Sequence, residues 1–181
     1  YQNTLYVPVS SLEVVPAAEP DYECCHFRGS VVAYDARTGK RKWQGFTIAE
    51  EPSARTPNAV GTQNYGPSGA PIWNSPSIDI ERNQLTVGTG ENYSSPASGE
   101  SDAVIAFDLM TGKVNWVYQA TIGDAWNTAC GREEDTNCPI EDGPDFDFGA
   151  GTMLAQDLDG IDYVIGGQKS GVVHAIDPDT G

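Results

Sequence analysis

Two adjacent cysteines, Cys24 and Cys25, followed closely by Arg28, are the first sign of chemistry in this chain. Adjacent cysteines can join each other only through an eight-membered ring. The pair therefore reads either as a stiff, flat surface or as separate thiols with other partners. A second concentration lies at 132–147, where seven acids stand in sixteen positions. Carboxylates can accept a proton or bind a cation, although most of these make a solvated loop face. Cys130 and Cys138 flank part of this stretch and read as a disulfide that closes it. A zinc site is the weaker alternative, because no histidine lies near and the spacing matches no common zinc pattern. Asp157, Asp159 and Asp162 surround an Asp159-Gly160 hairpin signal, a composition shared by calcium loops and solvated turns. No Cys-x-x-Cys-His haem attachment occurs.

The framework that holds these residues is written in a phrase used three times. It runs Val31-Val32-Ala33-Tyr34-Asp35-Ala36-Arg37-Thr38-Gly39, then Val104-Ile105-Ala106-Phe107-Asp108-Leu109-Met110-Thr111-Gly112, then Val173-His174-Ala175-Ile176-Asp177-Pro178-Asp179-Thr180-Gly181. Each copy is a β-branched, apolar strand entering a tight Asp-x-x-Thr-Gly turn. Trp43 and Trp116 follow the first two turns at the same offset and read as packing residues between neighbouring sheets. Around the second copy, strands are predicted at 76–80, 84–90, 103–109 and 114–118, which is one four-stranded antiparallel blade. The third copy repeats the plan at 148–156, 163–167 and 172–176 without its outer strand, and the first lacks its inner one. The fold class is thus all-β, a propeller of four-stranded blades. The aspartates of successive copies are 73 and 69 residues apart, so 181 residues hold about two and a half units, and the chain reads as a fragment of a longer ring. The expected units are about 1–65, 66–122 and 143–181 of a single partial domain, with an acidic loop at 123–142.

Composition narrows the function. With 26 acids against 10 bases the formal charge is −16, which argues against a nucleic-acid partner bound through its phosphates. No apolar run approaches the roughly 18 residues of a membrane span. Four cysteines suit an oxidising compartment better than the cytosol.

Four further landmarks occur in order with these. They are Cys24-Cys25-His26-Phe27-Arg28-Gly29, Gly69-Ala70-Pro71-Ile72-Trp73-Asn74-Ser75-Pro76, Val87-Gly88-Thr89-Gly90-Glu91-Asn92-Tyr93 and Gly167-Gln168-Lys169-Ser170-Gly171. The ordered set resembles the pyrroloquinoline-quinone (PQQ) alcohol dehydrogenases. Asp124-Ala125-Trp126-Asn127 and Gly143-Pro144-Asp145-Phe146-Asp147-Phe148-Gly149 resemble the polyvinyl alcohol dehydrogenase branch most closely. The resemblance implies an eight-bladed propeller with PQQ on its axis beside Ca2+. It makes Cys24 and Cys25 a vicinal disulfide forming one face of the quinone site and Trp73 the opposing ring. It also implies that Arg28 grips a quinone carboxylate and that Lys169 stands against the reactive carbonyl. The family places a metal-binding Asn after Gly-Thr-Gly, where this chain has Glu91 and then Asn92, so either could be the ligand. The general base is expected among Asp145, Asp147 and Asp124, with Asp147 preferred.

The function so implied is oxidation of an alcohol, polyvinyl alcohol or another secondary alcohol, to a carbonyl compound. PQQ would accept the hydride, a cytochrome c would be the electron acceptor, and the location would be the bacterial periplasm. The competing class is a cofactor-free scaffold propeller. Such a protein keeps the repeated phrase but has no use for Cys24-Cys25, Arg28, Trp73 and Lys169.

Overall fold

The computed structural model describes residues 1–132 and 136–181, so Glu133, Glu134 and Asp135 of the acidic stretch lie outside the described residues. Three antiparallel sheets follow one another along the chain as a partial β-propeller. The first contains β1 (Thr4–Val9), β2 (Ser30–Asp35) and β3 (Arg41–Phe46) in that order. Three short strands, β4 (Ser53–Ala54), β5 (Tyr65–Gly66) and β6 (Ser68–Gly69), lead to the second unit. That unit contributes β7 (Ser77–Asp79), β8 (Gln84–Gly88), β9 (Asn92–Ser94), β10 (Ala103–Asp108) and β11 (Val114–Gln119). Its blade has the order β11-β10-β8-β7. The third sheet is β12 (Met153–Gln156), β13 (Asp162–Gly167) and β14 (Val173–Ile176). The inner strand of the third sheet begins later than the sequence predicts. Residues 148–152 are drawn instead onto the second blade, where the Phe148 N–H donates to Thr89 O.

β10 shows why its sequence is apolar without alternation. Its blade is buried on both faces, and a strand presents successive side chains to opposite faces. Ala103, Ile105 and Phe107 join Val31, Leu85 and Val87 on the side of the first sheet. Val104 and Ala106 join Phe148, Val164 and Ile176 on the side of the third.

The repeated Asp, Gly and Trp have separable roles. Asp35 Oδ1 accepts the N–H groups of Arg37 and Thr38 and the Thr38 hydroxyl, and Asp108 makes the same three bonds to Met110 and Thr111. These donors hold both carboxyls below the ordinary carboxylate range, against a burial effect that is the largest opposing influence at Asp108. Each signature tryptophan then docks on the turn of the next unit. Trp43 Nε1 donates to Leu109 O at 3.1 Å, and Trp116 Nε1 to Pro178 O at 2.9 Å. The Trp43 ring lies where a side chain on Gly112 would stand, and the Trp116 ring does the same at Gly181. A glycine in the turn is thus required by its neighbour's tryptophan as well as by its own positive φ of 70° at Gly112.

At one end of the blades the loops are stitched together. β6 pairs with β9, Gly69 bridges Arg28, and Asn92 bridges Ala125. Gly69, at φ 101°, lets β9 approach closely, because a Cβ there would meet the backbone of residues 91–93. These bridges bring segments from different units to one place.

Candidate functional site

Glu91, Asp145 and Asp147 each offer an oxygen to a group of atoms lying within 4.8 Å of one another. Glu91 leaves Gly90 just before β9, and its own N–H donates to Asp147 Oδ1 at 3.0 Å. Lys169 sits in the turn between β13 and β14, where its N–H donates to Asp147 O. Its ammonium bonds both Asp145 oxygens at 3.0 Å and Asp147 Oδ2 at 2.6 Å. The same ammonium lies 6.0 Å from the centre of the Trp73 ring.

Trp73 is held by its neighbour. Asn74 is buried and donates to Gly88 O at 2.8 Å and Phe148 O at 2.9 Å, joining the second and third units. The adjacent indole is left 52% exposed. Its edge lies over Gly149, where a Cβ would stand 3.1 Å from the ring. Trp73, Glu91, Tyr93, Trp126, Asp147 and Lys169 line a cavity of about 320 Å³, together with Asp145 and residues of segment 10–14.

Burial and mutual repulsion set the protonation of this cluster. Desolvation, and then the Asp147 charge, push the Glu91 carboxyl up to about 10, so it is an acid at neutral pH. Desolvation, and then Asp147, also raise Asp145, but Lys169 offsets them and the group reaches only about 6. Burial works against the Lys169 cation, but the bonds from Asp147 and Asp145 outweigh it and hold the ammonium above its usual range.

Asp124 is fully buried, and its two oxygens accept the N–H groups of Asp145 and Phe146 at 3.3 and 3.1 Å. It supports the Asp145–Asp147 loop from behind and does not face the cavity. Asp102, also fully buried, lies against Asp124, and neither of its oxygens has another partner among the described residues. Burial, and then Asp124, raise Asp102 to about 10.

Other expected site residues lie elsewhere. Arg28 does not reach the cavity. Its guanidinium donates to the carbonyls of Ile48, Ala49 and Glu50, meets Glu51 at 3.4 Å and stacks over Phe46 at 4.1 Å. The carbonyls converging after β3 match its fork of donors, so Arg28 fastens that loop. Asn92 is likewise withdrawn from the carboxylates: its amide donates to Ser68 O and Ser98 Oγ and accepts the Ser98 N–H. A strand alternates its side chains, so Glu91 faces the cluster and Asn92 turns away. Cys24 and Cys25 do form a disulfide, as do Cys130 and Cys138. The vicinal pair is buried, however, and packs with Tyr93, Ala17 and Phe27 one layer behind the cavity.

Sequence reasoning missed Tyr93, Trp126 and segment 10–14 as cavity residues. Trp126 and Tyr93 stood inside recognised landmarks without a role, and nothing in 10–14 marks it.

A family model described as "PQQ: Glucose/ethanol/alcohol dehydrogenase, beta-propeller domain" matches residues 10–132. The chain is 41% identical over 179 residues to the polyvinylalcohol dehydrogenase of a Pseudomonas species, covering 99% of this chain and 28% of that protein. With the quinohemoprotein alcohol dehydrogenase of Comamonas testosteroni it shares 36% over 120 residues, 55% of this chain and 17% of that one. The crystal structure of the Comamonas enzyme has the same fold over all of this chain and 26% of its own, with a TM-score of 0.67 at 23% identity. The chain thus spans little more than a quarter of the first of these relatives, and Trp73, Glu91 and the vicinal cysteines fall within the span 10–132 that the family model matches. On its repeat, its cavity and these matches together, the chain belongs to the PQQ-dependent glucose/ethanol/alcohol dehydrogenase family of β-propellers.

Proposed function

We propose that this chain carries the cofactor site of a PQQ-dependent dehydrogenase that oxidises a secondary alcohol to a carbonyl compound. The observation that carries this reading is the meeting of Trp73, Glu91, Asp145, Asp147 and Lys169 at one cavity, although they span 96 positions of sequence. A half-exposed indole beside a cation and three carboxyls fits a planar, carbonyl-bearing cofactor with a metal ion at its edge. Glu91, Asp145 and Asp147 would hold the ion, calcium in this reading, and Trp73 would be the floor beneath the ring.

Bound there, the quinone supplies a carbonyl carbon that accepts hydride from the alcohol carbon. The residues do the rest. Asp147, paired with the Lys169 ammonium, takes the hydroxyl proton as the C–H bond breaks. Lys169 also presents positive charge at the cavity where negative charge develops. Trp126 and Tyr93 restrict water at the cavity's apolar side. Electrons would pass on to a cytochrome c, and the two disulfides fit a bacterial periplasm.

The test is reconstitution of the whole protein with PQQ and calcium, followed by reduction of a dye by a secondary alcohol. Quinone-dependent reduction, lost with Trp73→Ala, supports the assignment. Reduction that is absent or independent of quinone refutes it.

A further inference from the structure

One carboxylate outside the cavity joins two of its sides. Glu13 lies in segment 10–14, whose other four residues line the cavity while Glu13 itself points away. Its Oε1 accepts the His26 N–H at 2.8 Å and the Tyr22 hydroxyl at 3.0 Å. Its Oε2 accepts the Phe27 N–H at 2.7 Å. These two N–H groups directly follow Cys25. The pair itself is tied on its other side, since Cys24 N donates to Tyr22 O and both cysteines exchange backbone bonds with Tyr65. Glu13 thus anchors the exit of the disulfide loop.

That loop supports the cavity through Tyr93. The Phe27 ring stacks on Tyr93 at 6.0 Å with 25° between planes, and both cysteine sulfurs lie against the Tyr93 carbonyl. Tyr93 lines the cavity and donates its hydroxyl to Ser11 O at 3.1 Å. The contacts close a circuit: Glu13 to 26–27, 27 to Tyr93, Tyr93 to Ser11, and back along the chain to Glu13. One ionised side chain accepting two consecutive N–H groups is a charge-assisted clamp that a neutral residue cannot reproduce.

We propose that Glu13 is a positioning residue for the cofactor cavity: its carboxylate fixes the Cys24–Cys25 loop and, through Phe27 and Tyr93, the shape of the adjoining wall. The ligand in this statement rests on the quinone reading above, whereas the clamp does not.

Two readouts on the whole protein test it in Glu13→Gln and Tyr22→Phe. The first is the rate at which dithiothreitol reduces each disulfide, followed by alkylation and mass spectrometry. The buried pair can react only when its segment opens locally. The second is PQQ affinity from quenching of tryptophan fluorescence. Glutamine sets an amide NH2 against a peptide N–H, so Glu13→Gln should speed Cys24–Cys25 reduction by about tenfold and weaken PQQ by about tenfold. Cys130–Cys138 reduction should stay within about twofold, and Tyr22→Phe, which keeps both N–H bonds, should change either readout by less than about threefold. An unchanged Cys24–Cys25 rate, equal acceleration of both disulfides, or an unchanged PQQ affinity overturns the proposal. If Glu13→Gln does not fold, Glu13→Asp, whose shorter carboxylate cannot span both N–H groups, is judged by the same criteria. A wild-type protein that binds no PQQ sinks the quinone reading, and the reduction rates alone then decide whether Glu13 is the clamp.

Discussion

Replacing Asp102 by asparagine should stabilise this protein, and increasingly so as pH rises. Asp102 is fully buried, its two oxygens find no donor among the described residues, and the carboxyl of Asp124 lies beside it. Desolvation first, and Asp124 second, raise it to about 10. An unfolded aspartate ionises near pH 3.9. Between these values the native state holds one proton that the unfolded state has released, so unfolding becomes easier by about 1.4 kcal/mol for every pH unit. From pH 5 to pH 8 this amounts to about 4 kcal/mol as an upper bound, since relaxation of the site reduces it. Asparagine has the same shape, tolerates the positive φ of 46° found here, and carries an amide that can donate to Asp124.

The assay is urea unfolding of wild type and Asp102→Asn at pH 5, 6, 7 and 8, with chelator present. Glu91 is raised to about 10 and contributes the same sign of slope to both proteins, so the difference between them isolates Asp102. The gap should be small at pH 5 and widen in favour of asparagine by about 1 kcal/mol per unit above it. Parallel stability curves, or an asparagine variant less stable at pH 8, would show that Asp102 is ionised and that the buried pair is misread.

Three further outcomes follow from the same geometry. Arg82 joins Asp79 of its own hairpin to Asp162 and Asp179 of the third unit at 3.1, 3.1 and 2.8 Å, so Arg82→Met, which strands the nearly buried Asp79, should cost about 2–3 kcal/mol in urea unfolding. Asp179→Asn removes only the most exposed of these pairs and should cost under about 1 kcal/mol; equal losses would refute the ranking. Cys24→Ser should impair PQQ retention more than thermal midpoint, because the vicinal ring closes almost no loop, whereas Cys130→Ser should lower the midpoint with little effect on PQQ; the reverse balance would overturn the assignment. Calcium binding at pH 7 should release about one proton, read as buffer-dependent heat in calorimetry, because Glu91 must ionise to serve as a ligand; no release would mean that Glu91 is not one.

The blades were legible because each copy carries its own instructions. A period-two strand, an aspartate that caps the turn, a glycine and a tryptophan recur together, and the tryptophan of one copy docks on the glycine of the next. The site was legible in part. Trp73, Glu91, Asp145, Asp147 and Lys169 sit on landmarks shared with a known family, and they meet. Arg28 and Asn92 sit on the same landmarks and do not, since side-chain direction depends on local acceptors: three carbonyls capture Arg28, and the Ser68–Ser98 surroundings capture Asn92. Glu13 and Asp102 carry no local signal at all. A carboxylate that accepts two N–H groups from 13 and 14 positions away, or lies unpaired against another from 22 positions away, looks in sequence like any surface acid.

In a chain of charge −16 a surface acid is common, and a buried one is the exception. Asp102, Asp124, Glu91 and Asp147 are all nearly or wholly buried, and all lie on segments between strands of the repeat. Withdrawing four carboxyls from water is costly unless protons, N–H groups or cations compensate them. Here the compensation comes in three forms: a retained proton on Asp102 and on Glu91, two peptide N–H groups for Asp124, and the Lys169 ammonium for Asp147. The blades supply the rigid packing that makes such burial tolerable, because Trp43 and Trp116 fix neighbouring sheets without drawing on any site residue. Stability and chemistry are thereby divided between the repeated residues and the segments that join them.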